Sequence, residues 1–197
     1  MQQNTPPTPA RRRADAERSI ASILDAAVDA LGRDPDASMA QIERRAAVVR
    51  ATIYVHFPTR DALLDAVTDR ALAEVNDVIE SVDPHRGDAA DALARVVAAT
   101  WQTLGRYHGI IAFNTQRHGQ DELRARHAPV LASLEPLIQR GQAGGGFRSD
   151  VPASWHLSML LALVHAASEE LRAGRVPEAH AEAALVATIL GAVTAQA

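Results

Sequence analysis

Four side chains with hydrogen-bonding heads, Arg50, Thr52, Tyr54 and His56, fall on one short helical pattern within the run SMAQIERRAAVVRATIYVHFPTR from Ser38 to Arg60. Placing Ile53 at the bottom of a helical wheel turns Ala51 and Val55 directly outward, flanked by Thr52 and Tyr54. The hydrophobic effect alone would not leave an alanine and a valine on a surface. A major groove would use them: Arg50 can donate two hydrogen bonds to a guanine edge, and Ala51 or Val55 can touch a thymine methyl.

Such a helix has to be held from beneath. Ser38, followed three residues later by Gln41, reads as a capping box opening a supporting helix with Met39, Ile42 and Ala46 at inward spacing. Ala47-Val48 is the turn, and the second helix runs from about Val49 to His56. In that helix Val49, Ile53 and Phe57 repeat every four residues, which predicts one buried stripe. Upstream, from Asp15, Ile20, Ile23, Leu24, Ala27, Val28 and Leu31 recur with helical spacing up to a stop at Gly32, predicting a first helix that braces the other two.

The run from Ala46 to Leu64, AAVVRATIYVHFPTRDALL, resembles the helix-turn-helix signature of tetracycline-repressor-like (TetR family) transcriptional regulators. The resemblance covers about the first third of the chain. It departs from the family pattern at Ala47, where glycine is usual at the turn, and at Glu43, where a small residue is usual. The resemblance implies an all-α protein with an N-terminal three-helix DNA-binding domain, joined by a long helix to a C-terminal helical ligand-binding and dimerisation domain. By the same resemblance Thr52, Tyr54 and His56 hold the DNA backbone together with Ser38 and Arg60, each at a helix start where amides favour phosphate. The implied function is that of a ligand-responsive repressor that binds a palindromic operator in double-stranded DNA as a homodimer and is released by a small-molecule effector. The alternative is a small-molecule-binding or protein-interaction domain with the same fold that does not bind DNA; Ala47 and Glu43 keep it open.

Composition narrows the classes. The chain has 197 residues, 47% of them hydrophobic, enough for one sizeable core and a small appended domain. The net charge of −4 argues against indiscriminate coating of nucleic acid, and the charge is unevenly spread. Through residue 60 there are nine arginines against seven acids, and beyond it eleven against seventeen, so the cationic end is the helix-turn-helix end. Cysteine is absent, which removes disulfides and thiolate chemistry. With no apolar run long enough to span a bilayer and no apolar signal core, the expectation is a cytoplasmic protein without a membrane partner.

Three boundaries follow. Residues 1–14, with Pro6, Pro7 and Pro9 before Arg11-Arg12-Arg13, lack periodicity and read as a disordered basic arm, a solvated tail rather than a minor-groove reader. Residues 15–62 make the DNA-binding domain and 63–197 the helical effector-binding and dimerisation domain. Thr59 can cap the connecting helix, which runs to about Ser81, and Val82 to Gly87 is the clearest break. Further helical patterns cover about 88–106, 109–117, 120–143 with an interruption at Pro129, 153–173 and 177–195. The run Gly144-Gly145-Gly146 lacks the Gly-Lys-Ser/Thr ending of a phosphate loop and reads as a helix stop and flexible turn.

In the second half, Trp101, Tyr107, Phe113, Trp155 and Met159 accompany the polar Gln116 and His165, with His108, His118, His156 and Glu169 nearby in sequence. Singly, such aromatics belong more often to a core. Together they are candidates for the wall of an effector cavity, which the resemblance implies without choosing its residues. The eight histidines form no His-x-x-x-His pair, so no metal is expected. Neither a nucleotide loop nor a Ser-His-acid motif appears in context, so neither a cofactor nor catalysis is expected. The last two helices carry apolar surfaces broader than one core-facing stripe needs, from Leu157 to Leu171 and from Ala183 to Val193. Together with the resemblance, they make these helices the expected homodimer face.

Overall fold

A computed structural model of the chain describes residues 8–34, 36–108, 110 and 119–195. It is all-α: α1 (Pro9–Arg33), α2 (Met39–Ala46), α3 (Arg50–His56), α4 (Arg60–Ser81), α5 (Ala89–Leu104), α6 (Gln120–Ala143), α7 (Ala153–Arg172) and α8 (Glu178–Val193). The chain divides into two compact units, Met1–Val67 and Thr68–Ala197, and α4 begins in the first and ends in the second.

In the first unit α1 packs chiefly on α2 and also on α3. Ile23, Ala27 and Leu31 of α1, Ile42 and Ala46 of α2 and Ile53 of α3 are buried, as are Phe57, Leu63, Leu64 and Val67. Two polar ties fix α2 on α1: the Ser22 hydroxyl donates to the Ala46 carbonyl at 3.0 Å, and Arg45 pairs with Asp29 at 2.8 Å. Residues 9–14 are helical and not the disordered arm expected. The Thr8 hydroxyl accepts from the Arg11 amide at 3.4 Å, and Pro9 occupies the first turn, where its missing N–H costs nothing. At its other end α1 runs one residue past Gly32 and closes with Asp34 N–H donating to the Ala30 carbonyl.

The second unit buries one apolar cluster, with Val75 and Ile79 from α4, Leu93 and Trp101 from α5, Leu137 and Ile138 from α6, Leu157 and Leu160 from α7, and Leu185 and Ile189 from α8. α5 lies against α6 and α8, and α7 against the same two helices. Pro129 does not interrupt α6, which continues through it and through Pro136. The carbonyls that these prolines deprive of a donor belong to Ala125 and Ala132, four residues earlier. All four residues are exposed, so water replaces the lost bonds. The expected helix at 109–117 lies almost wholly outside the described residues.

The two loops that looked loose in the sequence are tied down. The segment after α4 is held by guanidinium groups: Arg140 donates to the carbonyls of Gly87 at 2.6 Å and Pro84 at 2.9 Å, and Arg95 donates to that of Arg86 at 2.9 Å. The glycine run ends α6, with Gly145 at φ 74°, and turns the chain onto the C-terminal tail. There Arg148 N–H donates to the Val193 carbonyl at 2.9 Å and Ala195 N–H to that of Gly146 at 3.1 Å, around an antiparallel bridge between Phe147 and Thr194. Phe147 lies flat on Gly141, where a Cβ would stand 2.1 Å from the ring.

The interior of the second unit also holds imidazoles. His108 is buried, stacked against Trp101 with ring centroids 4.1 Å apart, and its Nδ1 lies 3.1 Å from the Ser168 hydroxyl. That hydroxyl donates to the Val164 carbonyl, so its oxygen accepts from His108 Nδ1–H, which leaves Nε2 as the unprotonated nitrogen. Burial pushes His108 down to about 4. Burial and the neighbouring His127 do the same to His165, also to about 4. The two rings meet edge-to-face at 5.2 Å.

Two outcomes are expected. Ala47 sits in the left-handed region at φ 53°, ψ 33°, a strain of about 1–2 kcal/mol for a residue with a Cβ. Ala47→Gly should therefore leave the first unit unharmed or up to about 1 kcal/mol more stable in denaturant titration, where glycine inside a helix costs about that much. A clear loss of stability would show that the strain is absent. The second concerns pH: because the folded imidazoles titrate below the ordinary 6.5, the unfolded chain binds more protons, and stability, complete above about pH 6.5, is lost as the pH falls towards 4. For His108 alone the loss between pH 7.5 and 5 is on the order of 2 kcal/mol. Denaturant midpoints at the two pH values for the native chain and for His108→Gln check it, and an unchanged pH slope in the variant would rule His108 out as its source.

Candidate functional site

The capping box of α2 forms as its residue types dictate. Ser38 Oγ accepts from the Gln41 amide at 3.3 Å, and Gln41 Oε1 accepts from the Ser38 amide at 2.6 Å. The box sets the direction of α2, whose end at Ala46 is pinned to Ser22. Ala47 then reverses the chain without glycine, and Val49 caps α3 in extended conformation. Val49 is thus outside the helix and is 69% exposed, so the buried stripe consists of Ile53 and Phe57 without it. The four-residue spacing fails at Val49 because helical periodicity does not extend past the cap.

Within α3 the exposure follows the wheel. Ile53 is fully buried, Ala51 is exposed, Val55 is 77% exposed, and Tyr54 and Arg50 lie on the surface. Thr52 and His56 are half-buried at the flanks. The Arg50 guanidinium rests over the Tyr54 ring, 5.1 Å from its centroid, one turn away on the same helix. This cation–π contact holds the guanidinium along the outer face instead of leaving it to sample solvent. Val49, Tyr54 and Val55 are three of the four large apolar side chains left exposed among the described residues.

The remaining candidates of this group sit at the rim. Ser38 is exposed at the start of α2, its hydroxyl engaged in the cap. Thr59 caps α4, its hydroxyl accepting from the Ala62 amide at 3.0 Å. Arg60, the first residue of α4, is half-buried, and its Nε donates to the carbonyl of Ala37, immediately before Ser38, at 3.4 Å. The starts of α2 and α4 are therefore neighbours. Glu43 is only partly buried, which removes its need for an ion-pair partner at the helix crossing.

The candidates in the second unit do not form one group. Trp101 and Tyr107 are buried and His165 is half-buried. Trp101 meets His108, His108 meets Ser168, and His165, one turn before Ser168 on α7, meets His127. Phe113 and Gln116, with His118, lie outside the described residues. Trp155 belongs elsewhere: it is 63% exposed at the first turn of α7, not in the interior with Trp101. Met159, one turn on, is half-buried against the apolar cluster and shares a surface groove with Trp155 and His156. Alternating exposure around one helix separates these residues from His165, which sequence proximity had grouped with them.

Ser168 and His127 join the interior group without having been singled out. Ser168 was detectable, three residues after His165 on the same helix face. His127 was not, since its partner is 38 positions away. Its Nδ1 lies 2.7 Å from the Leu123 carbonyl and so carries the proton, which leaves Nε2 as the unprotonated nitrogen. Beside this group, burial alone would raise the Glu74 carboxyl, but Arg70 at 3.0 Å and Arg106 at 2.6 Å hold it below its ordinary value. The Tyr107 hydroxyl, enclosed and close to this carboxylate without meeting it in hydrogen-bond geometry, is raised by burial and by the Glu74 charge. These contacts tie the second half of α4 to the segment after α5 that carries Tyr107 and His108.

Residues 23–67, the span from mid-α1 into α4, match the family model described as bacterial regulatory proteins, tetR family. The HTH-type transcriptional repressor LfrR of Mycolicibacterium smegmatis is 27% identical over 178 residues, 90% of this chain and 92% of its own. The HTH-type transcriptional regulator NfxB of Pseudomonas aeruginosa is 26% identical over 164 residues, 81% of this chain and 83% of its own. The crystal structure of the TetR-like regulator LfrR in complex with proflavine aligns with a TM-score of 0.70 at 25% identity, covering 91% of this chain and 98% of that one. The family match falls on the helices that present the exposed face of α3: residues 23–67 carry the signature of the tetR family of bacterial regulatory proteins, and over most of its length the chain is similar to helix-turn-helix transcriptional regulators.

Proposed function

We propose that the chain is a homodimeric repressor that reads a palindromic operator with α3 and is released when a small molecule binds in the second unit. The observation that carries this reading is the outer face of α3, where Arg50 is held over Tyr54 and Val55 stands in solvent above a fully buried Ile53. The fold does not depend on the exposed Val55, which stands beside Ala51 and next to Tyr54 on the outer face, whereas a major groove supplies a thymine methyl for it and a guanine edge for Arg50. Arg50, Ala51 and Val55 meet bases; Thr52, Tyr54, His56, Ser38 and Arg60 meet phosphates and set the register. The adjacency of the α2 and α4 starts supports a shared phosphate site at their amides.

The effector lies among Trp101, Tyr107, His108 and His165, where neutral imidazoles offer ring faces and acceptors beside apolar walls. A planar or largely apolar molecule with hydrogen-bond donors fits that chemistry. Proflavine, which LfrR binds in its crystal, is a suitable first probe. Dimerisation uses the outer faces of α7 and α8, where Ala162, Ala166, Ala183, Ala184, Ala187 and Gly191 are exposed and let helix backbones approach closely. The protein acts by binding, without chemical turnover, in the cytoplasm. No helix among the described residues is long and apolar enough to cross a membrane.

Binding to the DNA flanking the chain's own gene, followed by mobility shift, tests the reading directly. Arg50→Ala should weaken operator binding by about 1–3 kcal/mol and relax preference at one base position, read by competition with single-base operator variants. Uniform weakening across all variants would make Arg50 a phosphate contact instead. The allosteric part has its own measurement: operator DNA must lower effector affinity by the same factor by which effector lowers operator affinity. Equal effector affinity with and without operator would overturn release by ligand.

A further inference from the structure

Val49 stands at the start of α3 with 69% of its surface exposed, and no contact among the described residues of the first unit accounts for a valine there. It is the N-cap residue, at φ −74° and ψ 148°, and the extended ψ swings its Cβ out of the helical path that would have set it above Ile53. It is therefore no part of the core. Nor does it act as a cap. An N-cap side chain steadies a helix by accepting from a free first-turn amide, which an isopropyl group cannot do, and α3 has no side-chain cap hydrogen bond. The other three helices that begin in this unit are capped by hydroxyls, α1 by Thr8, α2 by Ser38 and α4 by Thr59. α3 is the shortest of the four and the least able to form alone, so the cap is missing where it would help most. The neighbouring Arg50 leaves the valine methyls uncovered, because its guanidinium is drawn over the Tyr54 ring one turn further on.

We propose that Val49 is a specificity-determining residue whose isopropyl group packs on a thymine 5-methyl in the major groove, near the base pair met by Arg50. The proposal rests on the operator reading of α3 above and adds a contact at the helix start. A recognition helix reaches base edges with its N-terminal residues, and Val49 and Arg50 are the N-cap and first residue of α3. The thymine methyl is the apolar group that a base pair offers in that groove, so an aliphatic side chain without donor or acceptor selects thymine among the four bases. The two neighbours then divide the work. Arg50 reads a guanine edge through hydrogen bonds, and Val49 reads a methyl through apolar contact. The missing cap has a cause as well: a serine or threonine hydroxyl would turn back onto the amides of α3, whereas valine leaves its whole side chain facing outward. Stability of the shortest helix is given up for selectivity, and substitution at Val49 should move the two in opposite directions.

Thymine-to-uracil replacement tests it, because uracil keeps every hydrogen-bonding group of thymine and lacks only the methyl. The duplex is one that the full native chain selects from a random-sequence library. One thymine in each half-site should weaken native binding when replaced, by about 4-fold per half-site, the worth of one methyl buried against an apolar side chain. The same replacement should have no effect on Val49→Ala. Val49→Ser should lose the same sensitivity while its thermal midpoint rises, since the new hydroxyl caps α3. Variants that keep the native uracil response at every thymine, whatever their overall affinity, would overturn the proposal, as would a native chain indifferent to uracil throughout. A lowered midpoint in Val49→Ser would show that the valine serves the fold and would overturn it too. In each of these cases, Arg50→Ala relaxing the preference at one base position would leave α3 standing as the reader without Val49. A native chain that selects no duplex would overturn Val49 and the operator reading together.

Discussion

A helix of seven residues cannot hold itself together in water, since nucleating its first turn costs more than its few hydrogen bonds return. Everything in the first unit answers to that constraint. α3 exists because Ile53 is fully enclosed and Phe57 closes its end, and those two side chains are enclosed because α1 and α2 are locked to each other by Ser22–Ala46 and Arg45–Asp29. Burying an isoleucine is worth roughly 1.5–3 kcal/mol, enough to fix two turns whose other faces contribute little. With the inner face committed, the outer face is free to carry Arg50, Tyr54 and Val55, which the stability of the unit does not require there. The left-handed Ala47 belongs to the same economy: the turn geometry that sets α3 against α2 is kept even where no glycine makes it easy.

The second unit follows a different logic. Its apolar cluster has no need of imidazoles, yet His108, His127 and His165 are drawn into or against it. Each has at least one hydrogen-bond or ring contact that keeps it oriented, and all three are depressed by burial into neutral form. Neutral imidazoles are compatible with an apolar surround where a cation would not be, and they retain acceptors that a guest with donors can use. Glu74, flanked by Arg70 and Arg106, joins α4 to the segment bearing Tyr107 and His108.

Legibility differed sharply between local and non-local features. The capping box at Ser38, the cap at Thr59, the outward Val55 and the inward Ile53 were all readable, because each depends on residues within one or two turns. Val49 was misread because a periodicity was carried past the residue where the helix begins. Pro129 was misread because a proline's cost depends on whether the carbonyl it orphans is wet, and here Ala125 faces solvent. Residues 9–14 were misread because three prolines and three arginines suggest disorder, while Thr8 and Pro9 together form a serviceable helix start. Trp155 was grouped with Trp101 by residue type alone, and the surface gave it a different neighbourhood.

The sequence by itself determined the helical class, the helix-turn-helix with its exposed outer face and the cationic bias of that end, since spacing and short-range hydrogen bonds act without reference to the rest of the chain. Tertiary structure alone decided which histidines meet, that the glycine run is braced by the C-terminal tail, and that Trp155, His156 and Gly191 share one groove. Those outcomes join residues about 35 to 50 positions apart, as with His127 and His165 or Gly146 and Ala195. Their encounter depends on how whole helices pack, a sum of many small burial terms that no local pattern carries.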